Sequence, residues 1–309
     1  MIHGIINVYK EKGYTSHDVV AKLRGIAGQK KIGHTGTLDP DATGVLPVCL
    51  GKATKVCDLL TDKDKTYEAT LLLGKSTDTQ DVSGEVLSEK DTNALTDEEV
   101  RAVIESFVGD YEQIPPMYSA LKVNGKKLYE LAREGKVIER KARPVVIHEI
   151  VVKEMDLPRV RMEVTCSKGT YIRTLCHDIG EELVCGGCME ALERTKVGRF
   201  EMKDSLKLEE IKHLKDEGKL EDVMISIDAM FCQYPGVFVK RKWESLAKNG
   251  NPLPQNAVAV MQNSDTIEKA DLSPEESAYV RLYDEDGEFI AIYRKREKDY
   301  HIVKMFYTK

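Results

Sequence analysis

A chain of 309 residues, 41% hydrophobic and 32% charged, has the composition of an ordinary folded protein with room for two domains, which sets aside wholesale disorder. No run of about eighteen apolar residues is present to span a membrane, and residues 1–12 hold only a short apolar stretch in place of a signal peptide, so a cytoplasmic location is expected. The net charge of −6 is unevenly spread: residues 9–36 carry six Lys/Arg against two acids, a local +4, and residues 121–144 carry eight against three, a local +5. On charge alone the plain reading is two solvated helix faces; the alternative is one basic face that contacts phosphates.

Residues 4–9 read as a short strand. Thr15 and Ser16 then offer N-cap hydroxyls ahead of Val19, Val20, Leu23 and Ile26, an apolar face at helical spacing, and Gly28 can end that helix. Residues 31–44 are rich in turn formers (Gly33, Gly36, Pro40, Gly44) and feed the apolar run 45–50, a buried strand. Residues 67–73 form a further strand, which a polar turn through Thr77, Asp78, Thr79, Gln80, Asp81 and Gly84 joins to 85–87 as an expected hairpin. Thr96 or Asp97 caps a helix through Phe107, Ile114-Pro115-Pro116 breaks the chain, and a basic helical stretch surrounds 128–133. Residues 145–153 and 160–166 are β-rich, and a helix starting at Thr170 gathers Ile172, Leu175, Cys176, Ile179 and Leu183 on one face. Beyond Phe200 lies an acidic, helix-rich connector, and from about Phe231 short strands return at 236–239, 279–283, 289–294 and 302–307. The expected class is α+β with mostly antiparallel sheet: a larger domain over 1–230, with the basic insertion at about 121–144, and a small all-β domain over 231–309.

The string Lys31-Ile32-Gly33-His34-Thr35-Gly36-Thr37-Leu38-Asp39-Pro40-Asp41-Ala42-Thr43-Gly44 sets one carboxylate in a loop whose glycines let another backbone come close. Pro40 pushes Asp39 out of the α region, and an Asp-Pro pair by itself is simply a turn. In this string it resembles the catalytic motif of TruB-type pseudouridine synthases, GHTGTLDPxATGxLP. The resemblance continues through Gly51-Lys52-Ala53-Thr54-Lys55, Lys65-Thr66-Tyr67, and Leu73-Gly74 with Thr77-Asp78-Thr79. Two later blocks extend it, Ile114-Pro115-Pro116-Met117-Tyr118-Ser119-Ala120-Leu121-Lys122 and Cys166-Ser167-Lys168-Gly169-Thr170-Tyr171-Ile172-Arg173-Thr174-Leu175. It covers residues 4–200 strongly and the C-terminal part weakly.

The resemblance implies a pseudouridine synthase fold followed by a PUA-like RNA-binding module. It implies isomerisation of the uridine at position 55 in the T-arm of tRNA, with no cofactor, metal, guide RNA or obligatory protein partner; a monomer is the simplest expectation for the oligomeric state. It gives Asp39 the attack on the base or on C1′ of the ribose, Arg173 the pairing that holds the Asp39 pKa down, and Tyr67 the stacking on the base and help with its C5 proton. The base must leave its stack to react; His34 then fills the space it vacates and Leu192 walls the pocket. RNA or substrate contacts are further expected of Lys10, Gly36 and Thr37, and of Lys122, Lys126 and Lys127 in the 121–144 stretch, which resembles a mobile thumb of the family. Outside this resemblance, Tyr67 and Leu192 would read as packing and Arg173 as a solvated surface residue.

Three positions depart from the family pattern. Lys10-Glu11-Lys12-Gly13 stands where many relatives have Lys-Pro-x-Gly. Asp41 replaces an apolar residue after Pro40 and is expected to face solvent, because a carboxylate turned toward Asp39 would raise its pKa. Glu193 replaces a frequent arginine, which puts an RNA contact there in doubt. Two other functions stay open: a tRNA-binding or folding factor whose isomerase activity is secondary, and a metal hydrolase built on Asp78 and Asp81. Seven irregularly spaced cysteines do not suggest a disulfide framework, and Cys185-Gly186-Gly187-Cys188 lacks the second ligand pair of a structural zinc site.

Overall fold

The computed structural model describes residues 1–123, 125–260 and 277–307; residues 261–276 and 308–309, part of the expected C-terminal domain, lie outside them. The chain begins with the buried strand β1 (Gly4–Lys10) and the helix α1 (Ser16–Ala27). The Thr15 hydroxyl accepts from the Asp18 N–H at 3.1 Å while the Asp18 carboxylate accepts from the Thr15 N–H at 2.8 Å, a reciprocal cap, and Gly28 closes the helix in the left-handed region.

There follow β2 (Ile32–His34), β3 (Thr43–Leu50), α2 (Cys57–Thr61), β4 (Lys65–Leu73), β5 (Lys75–Thr77), β6 (Val86–Glu89), α3 (Asp97–Ser106) and β7 (Gly109–Gln113). A small hairpin, β8 (Lys122–Val123) with β9 (Lys126–Lys127), leads into α4 (Leu128–Arg133). Next come β10 (Arg143–Asp156), β11 (Arg159–Cys166), α5 (Ile172–Glu182), β12 (Gly187–Val197), β13 (Phe200–Glu201) and α6 (Leu208–Asp216). Among the described residues nine strands form one sheet in the order β1-β3-β12-β4-β11-β10-β7, with β2 beside β3 and β13 beside β12. Its pairs are antiparallel except β3 with β12. The C-terminal part comprises β14 (Gly236–Val239), α7 (Glu244–Lys248), β15 (Leu253–Pro254), β16 (Val258–Val260), β17 (Tyr279–Tyr283), β18 (Phe289–Lys295) and β19 (Asp299–Met305). Six strands there form a second sheet, ordered β15-β19-β18-β17-β14-β16. The molecule is therefore a mixed α and β protein of mostly antiparallel sheet with a small β-rich C-terminal part.

Apolar burial divides into layers. Helices α3 and α5 cover the β4-β11-β10 region through Val100, Ile104, Leu175 and Ile179 against Leu71, Met162 and Ile147. Helices α1 and α6 cover β1 and β3 through Leu23 and Ile211 against Ile6, Val8, Leu46 and Val48. A third cluster joins the two sheets, with Ile5, Val45 and Phe200 on one side and Phe231, Ile292 and Phe306 on the other. Fully burying such side chains stabilises by about 1.5–3 kcal/mol each before entropy is counted.

The structure corrects three expectations. Residues 67–73 do not pair with 85–87: β4 lies between β11 and β12, and the local hairpin is β5 with β6. The helix expected from Thr170 begins at Ile172, and the Thr170 hydroxyl donates instead to the Ser167 carbonyl at 2.9 Å. Strand β12, in the middle of the main sheet, was not anticipated, and neither was β7 at its edge.

The seam between β3 and β12 is tight. Gly44 has φ +105°, and a Cβ there would lie 2.2 Å from the Arg194 carbonyl oxygen. Gly44→Ala is therefore expected to destabilise the fold by more than about 2 kcal/mol, since backbone strain and a backbone clash add. Urea denaturation checks this; an unchanged midpoint would show that the seam yields.

Candidate active site

Arg173 is the second residue of α5, and the helix entry is fixed by Gln113, whose side chain accepts from the Tyr171 N–H at 2.7 Å and donates to the Tyr171 carbonyl at 3.0 Å. The Arg173 side chain is 7% exposed, and its guanidinium meets four oxygens. Nε lies 3.1 Å from Asp39 Oδ2, Nη1 donates to the Thr79 carbonyl at 3.0 Å and to Asp81 Oδ2 at 3.4 Å, and Nη2 donates to the Tyr118 carbonyl at 2.9 Å. The expected pair of Asp39 with Arg173 is thus in contact.

The loop bearing Asp39 is tied down on both flanks. The Leu38 N–H donates to the Ser16 hydroxyl at 2.9 Å, and the Pro40 carbonyl accepts from the Gly13 N–H at 2.9 Å and from Lys10 Nζ at 3.1 Å. Lys10 is fully buried, and its ammonium also reaches the carbonyls of Tyr14 at 2.6 Å and Glu11 at 3.3 Å. Burial brings its pKa down to about 8 against the attraction of Asp39 and Asp41. The structure places this lysine inside the loop rather than on an RNA-facing surface.

Electrostatics at Asp39 run opposite to the expectation drawn from Arg173. Although 43% of its side-chain surface is open, poor solvation within the loop raises its pKa; Arg173 and Lys10 oppose that shift, and Asp81 and Asp41 reinforce it. Asp41 itself faces solvent, as expected.

Tyr67 is buried beside Leu38 and Ala42 of the Asp39 loop, and Leu192 packs against the same cluster. Burial raises the Tyr67 pKa, and the Arg194 guanidinium against its phenol opposes the rise. Arg194 is a residue that the sequence reading missed: it is 1% exposed and donates to the Val45, Gly36 and Thr37 carbonyls at 2.7, 3.3 and 3.5 Å. Gly36 and Thr37 thus face Arg194 with their carbonyls.

His34 lies in an open cleft of about 530 Å³ together with His17, Arg24, Lys30, Lys31 and Cys57. Its ring stands edge-on to His17 at 6.0 Å, Nδ1 accepts from the Gly36 N–H at 3.3 Å, and burial lowers its pKa. Glu193 is turned to its neighbours, accepting from Tyr9 at 2.6 Å and Thr43 at 3.2 Å. Lys122, Lys126 and Lys127 stand apart on the β8–β9 hairpin, over a small core of Met117, Leu128 and Leu131.

Asp78 and Asp81 spend their oxygens on the 77–85 turn and on Tyr118 and Arg173. Asp78 accepts from the Glu85 N–H and the Tyr118 hydroxyl, while Asp81 accepts from Thr79, Ser83 and Arg173. Among the described residues no group of three or more His, Cys, Asp or Glu side chains gathers to hold a metal ion.

Comparison with known proteins places the chain among pseudouridine synthases. Residues 24–172 match the TruB family pseudouridylate synthase N-terminal domain, and residues 173–231 match the tRNA pseudouridylate synthase B C-terminal domain. The chain is 53% identical to tRNA pseudouridine synthase B of Lachnoclostridium phytofermentans, over 99% of its own length and 100% of that protein. Its identity to the Clostridium novyi protein of the same name is 46%, over 98% and 99%. Among solved structures it resembles a chain of a Cbf5-Nop10-Gar1 complex, with a TM-score of 0.69 and 26% identity over 98% of this chain and 85% of that one.

Asp81 is the negative neighbour whose removal should ease ionisation of Asp39. Asp81→Asn keeps an acceptor for the turn and is expected to lower the Asp39 pKa, whereas Arg173→Met is expected to raise it further. Carboxyl ¹³C NMR titration reads both; a midpoint that stays fixed in Asp81→Asn contradicts the assignment.

Proposed function

Because the chain belongs to the TruB family of pseudouridine synthases, we propose that the Arg173-held Asp39 is the group through which it isomerises uridine to pseudouridine in tRNA. The observation that carries the reading is the contact at 3.1 Å between a solvent-accessible carboxylate and a buried, fourfold-satisfied guanidinium. The reaction breaks the N1–C1′ bond, turns the base and joins C5 to C1′; the C5 proton goes to solvent and N1 regains one, so there is no net redox change. An ionised Asp39 attacks the base or the ribose and is released at the end. Fixed acceptors around Arg173 keep the carboxylate aimed without reorganisation during the reaction.

The target is the uridine at position 55 of the T-arm, extruded from its stack toward Asp39. Tyr67 contacts the extruded base, Leu192 borders it, and His34 takes up the space left behind. Gly36 and Thr37 shape the loop, and Lys10 serves by holding Pro40. Lys122, Lys126 and Lys127 meet phosphates from the β8–β9 hairpin, and the C-terminal sheet, from about residue 231, acts as the PUA-like RNA-binding module. The protein works in the cytoplasm as a monomer without guide RNA or cofactor. Support for this last point is its far higher identity to the two bacterial synthases than to the Cbf5 complex chain.

Incubation of the protein, with EDTA present, with unmodified tRNA tritiated at uridine C5 is expected to release tritium, while Asp39→Asn releases none above a protein-free control. A tRNA with cytidine at position 55 should abolish release by the parent. Equal release by Asp39→Asn would remove Asp39 from the chemistry; no release by either protein would leave tRNA binding and folding as the better reading.

A further inference from the structure

Arg194 is among the largest side chains the protein buries almost completely. It stands in β12 with Gly44 of β3 and Tyr67 of β4 as its Cα partners on either side. Its electrostatic partner among the described residues is the Tyr67 phenol rather than a carboxylate. A buried cation without an anion is costly, and a Leu or Met would fill the same volume without that cost.

The donors show where the compensation comes from. Nη2 and Nη1 reach the carbonyls of Gly36 and Thr37, three and two residues before Asp39, and Nε reaches Val45, two residues inside β3. One planar fork therefore fastens both ends of the 36–45 loop, and its charge lies against Tyr67. Gly44, beside it, admits no side chain, so the β12 backbone can approach this closely.

We infer that Arg194 is a positioning residue of the isomerase: it fixes the Asp39 loop and the Tyr67 phenol in one relative arrangement, acting on the reaction through these two groups and not on tRNA binding. This rests on the proposed roles of Asp39 and Tyr67. Arg173 orients the carboxylate from α5, and Arg194 holds the loop beneath it from the sheet.

The test is a split between binding and chemistry. Arg194→Met keeps volume and removes charge and donors; Arg194→Lys keeps the charge but cannot span the three carbonyls. Single-turnover tritium release is expected to fall about a hundredfold in Arg194→Met, the scale of a small misplacement of reacting groups, with only partial recovery in Arg194→Lys. The dissociation constant for tRNA, measured by filter binding, is expected to stay within about twofold of the parent value. Thermal melts establish that each variant is folded at the assay temperature, and if Arg194→Met is not, Arg194→Lys decides. A folded variant with the parent rate constant, or with a loss matched by weakened binding, overturns the inference. Asp39→Asn runs in the same assay. Its activity would bring down the proposed site and this inference with it, whereas inactive Asp39→Asn beside fully active Arg194 variants would bring down this inference alone.

Discussion

A guanidinium that is 7% exposed must have its N–H groups met by protein oxygens, and the architecture around Arg173 follows from that requirement. The oxygens come from separate parts of the chain: the Asp39 loop, the turn at Thr79 and Asp81, and the segment at Tyr118. The contacts at Asp39, Thr79 and Tyr118 fall outside helices and strands, and Asp81 is bridged by backbone to Met189 of β12. Stripping one partner from such a buried charge costs on the order of 3–5 kcal/mol, so Arg173 binds together three segments that backbone contacts otherwise hold separately. The same demand shapes the reactivity of Asp39. It shares its cation with Asp81, and the shared charge does not offset the loss of solvation, so the carboxylate is more basic than a surface aspartate. For the role proposed for Asp39, forming and later breaking a bond, that balance serves better than a tight private ion pair.

Beneath this contact lies a second set of restraints made mostly of backbone groups. Ser16 holds Leu38, Lys10 and Gly13 hold Pro40, and Arg194 holds Gly36, Thr37 and Val45. Gly13 sits at φ +87°, a turn geometry that spares it strain and lets its N–H point at Pro40. Glu11 contributes its carbonyl to the Lys10 ammonium, so the turn from 10 to 14 is held by the same lysine that holds Pro40. The loop is thereby preorganised before any RNA arrives, which removes the entropy of ordering it from the reaction.

The parts of the candidate site carried by contiguous motifs were legible in the sequence: the Asp39 string and the Arg173 behind Gly169-Thr170 that meets it, with Tyr67 buried nearby. The Thr15 cap and the Gly28 stop of α1 were legible for the same reason, since caps are local chemistry. Strand β12 was not. Its sequence, GCMEALERTKV, holds Met, Glu, Ala, Leu and Arg, residues that favour helix, and burial between β4 and β3 overrides them. Because that strand was not read, Arg194 could not be placed opposite Tyr67. The misassigned hairpin has a related origin: β4 alternates with period two, but both its partners come from more than eighty residues away, and no local turn signals them. The pKa of Asp39 failed for a third reason, since the sequence showed the cation but not the crowding that desolvates the carboxylate.

The charges counted in the sequence are also not the charges the molecule presents. In the 9–36 stretch Lys10 is wholly internal, while Lys30 and Lys31 remain exposed at the cleft that holds His34. In the 121–144 stretch Glu134 takes up Lys126 at 3.5 Å and Lys136 at 2.7 Å, which engages two of the eight cations there. The two kinds of engagement differ physically. Lys10 donates to three carbonyls in a dry interior, and withdrawing it would leave those oxygens and its own charge without partners. Lys126 and Lys136 are more than half exposed, where an ion pair gains little over water and is screened by salt. Such lysines can exchange a glutamate for a phosphate at small cost, so the pairing of Lys126 takes little from the hairpin's capacity to meet a polyanion. An acidic chain can thus offer basic surface where its ion pairs are exposed and weak, while a buried cation such as Lys10 is committed to holding the loop that bears Asp39.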